Sequence, residues 1–168
     1  MTQSNPKSVA LLLLLLSSAT LALLMQACGG SDDAQAQAAA PADPVEGFWQ
    51  STVALQDCTS GAALGGFRGL TTLHSGGTAS ADNNQPPATK GTAIGTWNRA
   101  SAGGCVVEMR FWRYQPDGTP AGQQRLTRSF TLSADGKVLT GTVSSVSLDP
   151  GDNVVRTVCG NETGARIG

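Results

Sequence analysis

From residue 45 to the end, apolar and polar residues alternate with a period of two, and turn residues interrupt the alternation every eight to twelve positions. A strand puts successive side chains on opposite faces, so this pattern specifies half-buried strands. Runs fall at 46–57, 66–74, 78–81, 91–98, 105–114, 123–132, 137–148 and 154–167. Ser-Gly-Gly at 75–77, Pro-Asp-Gly at 116–118, Ala-Asp-Gly at 134–136 and Asp-Pro-Gly-Asp at 149–152 supply turn chemistry between them. A polar, proline-containing loop covers 82–90. No run needs a helix. Short connections between consecutive strands predict an all-β, antiparallel, up-and-down meander. Eight strands can close it into a single barrel without exposed edges.

The 168-residue chain carries 11 basic and 12 acidic side chains, with no basic block. That excludes the electrostatic footprint of nucleic-acid binding. The first 27 residues are different in kind. A short polar stretch with Lys7 precedes an almost wholly apolar run at 9–25, the plan of an export signal peptide. Met25-Gln26-Ala27-Cys28 resembles a bacterial lipobox. The resemblance implies cleavage before Cys28, lipidation of its sulfur and, with Gly29 following, an outer-membrane lipoprotein facing the periplasm. The alternative is ordinary cleavage after Ala-Gln-Ala at 34–36 or 36–38, giving a soluble periplasmic protein. Residues 28–44 are rich in Ala, Asp, Gln and Pro without apolar periodicity and read as a flexible tether. The barrel domain is expected over 45–168.

Gly47-Phe48-Trp49 opens the first strand. A Gly-x-Trp there, with eight alternating runs and a late arginine, resembles the lipocalins and their calycin relatives. The resemblance implies that Arg166, in Thr163-Gly164-Ala165-Arg166-Ile167, packs across Trp49 and closes the barrel. One antiparallel pairing of first and last strands then suffices for two contacts. It sets Trp49 against Arg166 on one face and brings Cys58 and Cys159 within a diagonal step on the other. With export into an oxidising compartment, a Cys58–Cys159 disulfide is expected. Cys105 remains as a buried thiol.

The search for chemistry is mostly negative. His74 is the one histidine and belongs to no recognisable catalytic motif. Asp82, Asp117, Asp135, Asp149 and Asp152 sit in turns, where aspartate is a turn former. No catalytic residue, metal site or cofactor is expected. On 105–114, Cys105, Val107, Met109, Phe111 and Arg113 share the face read as inward; on 123–132, Leu126, Arg128, Phe130 and Leu132 do. Met109, Phe111, Arg113, Arg128 and Phe130 are therefore the candidate ligand-lining residues. A buried arginine needs a partner. Either Arg128 and Arg113 hold the acidic head of an apolar ligand, or a Glu or Asp on a neighbouring strand satisfies them, or they snorkel to the rim. The lipocalin resemblance implies a non-enzymatic envelope protein that binds a small apolar or amphipathic molecule inside its barrel. The alternative is a periplasmic protease inhibitor or other protein-binding barrel with a packed interior.

Overall fold

The computed structural model describes residues 42–101 and 103–168; Cys28, the leader and most of the tether lie outside the described residues. Eight strands follow in order: β1 (Gly47–Gln56), β2 (Ala63–Leu73), β3 (Thr78–Asn83), β4 (Ala93–Arg99), β5 (Cys105–Tyr114), β6 (Pro120–Leu132), β7 (Val138–Leu148) and β8 (Val154–Arg166). Each pairs antiparallel with the next, and β1 pairs with β8, so the sheet closes as an up-and-down barrel.

The strand bounds differ from the sequence reading where glycine obscures it. β2 begins upstream of Gly65-Gly66, which reads as a break. Gly66 instead lets the backbones of β1 and β2 approach, since a Cβ there would lie 2.4 Å from the Val53 carbonyl oxygen. The loop after β3 holds a three-residue 3-10 turn at Pro87–Thr89, started by proline at its first position. The turns use aspartate as a local acceptor. Asp57 accepts from the Ser60 and Thr59 amides, Asp117 from Thr119, and Asp149 from Asn153 and Gly151. These amides hold all three carboxyls below the usual carboxylate value, as the Ser133 hydroxyl does for Asp135.

One end of the barrel is packed solid. Val45, Trp49, Leu73, Trp97, Cys105, Phe130 and Leu139 form its apolar core. Val45 precedes β1, and the others lie near the start or end of their strands, all at the same end. Burial pushes the Cys105 thiol above its ordinary value, which keeps it protonated and unreactive.

Arg166 seals this end. It lies opposite Trp49 in the β1–β8 register, with its guanidinium carbon 4.4 Å from the indole centroid. It donates to the carbonyls of Glu46 at 2.6 Å, Gly136 at 3.3 Å and Pro44. The Trp49 indole N–H donates to Val45 O at 2.9 Å. The glycine of Gly-x-Trp has a specific job here. Gly47 adopts a φ of 126°, and a Cβ on it would lie 2.5 Å from Arg166 Nη1. Arg166→Met should lower the unfolding free energy by about 2–3 kcal/mol, from the cation–π contact and the charged hydrogen bonds together. Arg166→Lys should recover only part, because an ammonium lacks the planar fork. Urea midpoints of the three proteins check this.

The last tether residues are fixed to this end, contrary to the expectation of a free tether up to residue 44. Asp43 accepts from Arg99 Nε at 2.9 Å and also pairs with Arg99 Nη2, and its Oδ1 accepts from the Val45 amide. The charge partner on β4 overrides the disorder-prone composition.

Candidate functional site

The opposite end is open, and the inward faces of the strands change character towards it. Midway, Arg128 on β6 is held bidentately by Glu162 on β8, with Nη2 at 2.5 Å from Oε1 and Nε at 2.9 Å from Oε2. Its Nη1 donates to Thr71 Oγ1 on β2 at 2.8 Å, and its guanidinium lies 5.7 Å from the Phe130 ring centroid. The side chains of Arg128 and Glu162 are 5% and 1% exposed. Through Thr71 on β2 the Arg128 side chain reaches across the interior, between the packed half and the open half.

Above it lies a cavity of about 50 Å³, bounded by Val53, Phe67, Ala93, Phe111, Leu126 and Val143 and floored by the Arg128–Glu162 pair. A drug-sized ligand usually occupies roughly 300–1,000 Å³. The interior therefore admits a small group and not a lipid-sized one. Lys90 and Phe111 border this cavity and also the depression at the barrel mouth, about 300 Å³ in volume.

The mouth is built by register. Phe111 on β5 faces Gln124 on β6, Gln124 faces Ser147 on β7, and Ser147 faces Arg156 on β8. This is one continuous inward row across four strands. Gln124 donates to Ser145 Oγ at 2.5 Å and accepts from Ser147 Oγ at 2.9 Å, which fixes its amide. Arg113 stands at the end of β5 and donates from Nη1 to Leu148 O at 3.3 Å. The 84–91 loop crosses the rim, pinned by an antiparallel bridge between Lys90 and Arg113 and by the Gly91 amide on Trp112 O at 2.8 Å. Lys90 pairs with Asp82, which lowers the Asp82 pKa through that hydrogen bond. No known protein-family model matches the chain, and no curated protein does.

The candidate ligand residues are divided by this arrangement. Phe111 borders both cavity and mouth, Arg113 the mouth, and Arg128 the cavity floor. Met109 and Phe130 belong to the packed core, at 1% and 3% exposure. Phe130 pairs with Cys105 at the closed end, whereas Met109 faces Leu126, one step above the Val107–Arg128 pair, yet does not line the cavity. A carboxylate partner for Arg128 is present, but it comes from β8, on the far side of β7, and not from a strand adjacent to β6. Cys58 and Cys159 are joined, with Cα atoms 5.0 Å apart.

Sequence reading did not single out Glu162, Thr71, Lys90, Gln124, Ser145, Ser147 or Arg156. For Glu162 the signal was available. With Arg166 inward on β8, every second residue back from it faces inward, and Glu162 is the acidic one. For Lys90 no signal existed, since its place depends on how the loop folds across the rim.

His74 lies on the exterior with Nε2 3.1 Å from Ser80 Oγ. No carboxylate hydrogen-bonds that imidazole among the described residues, so no third group orients it as a base. Among the described residues no group of three or more His, Cys, Asp or Glu side chains is placed to hold a metal ion.

Proposed function

We propose that the chain is an exported envelope lipoprotein whose calycin-like barrel binds, without catalysis, a small amphipathic molecule at its open end. The observation that supports it is the graded interior: a packed end, a small apolar cavity and a wider polar mouth bordering it. A ligand with a short apolar part and a polar head matches that gradient. The lipobox-like Met25-Gln26-Ala27-Cys28 supports attachment to the outer membrane through Cys28, with the barrel in the periplasm. Two acyl chains suffice for stable anchoring.

The small cavity also favours a second reading. A barrel filled by its own side chains suits a protein-binding role, such as inhibition of an envelope protease, in which rim and loops make the contact.

Native mass spectrometry of the full chain, purified from the envelope, separates the two. The first reading expects a reproducible adduct of low mass that partitions into organic solvent. A clean apo mass, with co-purification of an envelope protease at fixed stoichiometry, would replace it by the second.

A further inference from the structure

We propose that the molecule bound at the mouth is an anion, carrying a carboxylate or phosphate ester as its head group; this rests on the small-molecule reading above. The depression is bordered by Lys90, Arg113 and Arg156 and by no carboxylate. The Lys90 charge is shared with Asp82. Arg113 spends one donor on a backbone carbonyl, and no carboxylate pairs with Arg113 or Arg156 among the ion pairs of the described residues. Asp57 feels Arg156 only through space.

A second observation points the same way. Ser145 is 9% exposed, and its oxygen accepts from Gln124. No acceptor for its own hydrogen occurs among the hydrogen bonds of the described residues, so that donor is left for an occupant of the depression that Ser145 lines. Turning the Gln124 amide would only transfer the unpaired hydroxyl hydrogen to Ser147, because its nitrogen would then donate to Ser147 Oγ. The mouth thus offers surplus donors and surplus positive charge. A group with only acceptors satisfies both, and a bidentate oxyanion fits the guanidinium fork of arginine. Phe111, Leu55 and Val158 line the same depression and would take the first carbons beyond the head. The cavity of about 50 Å³ below them limits the apolar part to a short segment.

The test uses the full chain in detergent micelles, with butyrate, butyl phosphate, butylamine and butanol as probes. Backbone amide NMR shifts of Gln124, Ser145 and Ser147 report binding. At least one of the two anions is expected to shift them saturably, with a dissociation constant at least tenfold below those of butylamine and butanol. Binding of butyrate alone or of butyl phosphate alone upholds the proposal and selects the head group. The double variant R113Q/R156Q should weaken that anion at least tenfold with its urea midpoint unchanged. If that variant does not fold, R113K/R156K, which keeps the charge and loses the fork, should still weaken it severalfold. Equal binding of butanol and the anions would overturn the anion proposal and leave the binding reading standing. No shift at the mouth with any probe would overturn both.

Discussion

Replacing Glu162 by leucine should lower the unfolding free energy by about 3–5 kcal/mol, the usual cost of leaving one partner of a buried ion pair alone. For a domain stable by roughly 5–15 kcal/mol, that is a large fraction of the total. The size follows from geometry. Both side chains are almost wholly buried, at 5% and 1% exposure, so water cannot take over the solvation of Arg128. Thr71 offers one hydroxyl and no charge. The Phe130 ring face offers a weak attraction at 5.7 Å. Arg128→Met should be costly in the same way, through the stranded carboxylate. The double variant Arg128→Met/Glu162→Leu should lose far less than the two singles together, because a well-packed apolar pair avoids both desolvation penalties. A double-mutant cycle from urea unfolding gives the coupling directly. A loss under about 1 kcal/mol for Glu162→Leu would mean that water in the neighbouring cavity solvates Arg128, and the pair would not be dry.

The same pair shows what the sequence discloses and what it withholds. Alternation groups the side chains of β1, β5 and β6 by face, so Trp49 and Val53, Val107 and Met109, and Arg128 and Phe130 fall together and are buried together, while Gly and Thr blur the alternation of several other strands. Closure is legible too, because the Trp49–Arg166 pairing and the Cys58–Cys159 bond require compatible registers of one strand pair. Depth along the barrel is harder. Parity does not tell whether Phe130 lies near the packed end or the open end; that depends on the stagger between β5 and β6, where Phe130 pairs with Cys105 at the start of β5. Phe130 therefore looked like a ligand contact and is a core residue. The mouth was less legible still. Lys90 reaches it through a proline-initiated turn, and Arg156 through the β7–β8 stagger, neither of which leaves a periodic trace. Glycines at close strand contacts, such as Gly66 against Val53, hide the end of a strand as effectively as a turn would.

Removing the disulfide should lower the unfolding free energy by about 2–5 kcal/mol, measured on Cys58→Ser/Cys159→Ser against the parent in urea. The bond spans a sequence separation of 101 and joins the turn just after β1 to β8. These are the first and last strands, so their contact is the one that closes the barrel, and it carries the greatest loop-closure entropy. Every other strand pair joins chain neighbours and forms without such a search. The bond withdraws that entropy from the unfolded chain, while the Trp49–Arg166 contact holds the other end of the same seam in the folded state. The loss should therefore appear first along the seam. Hydrogen exchange of the β1 and β8 amides that pair with each other should quicken more than exchange at the β5–β6 ladder. Refolding of the double serine variant should also slow, because β1 and β8 must then find each other unaided. Cys105→Ser serves as the control, since that thiol is buried and unpaired and its loss removes no cross-link. A double serine variant with an unchanged urea midpoint would show that β1–β8 hydrogen bonding and the Arg166 lock alone determine closure.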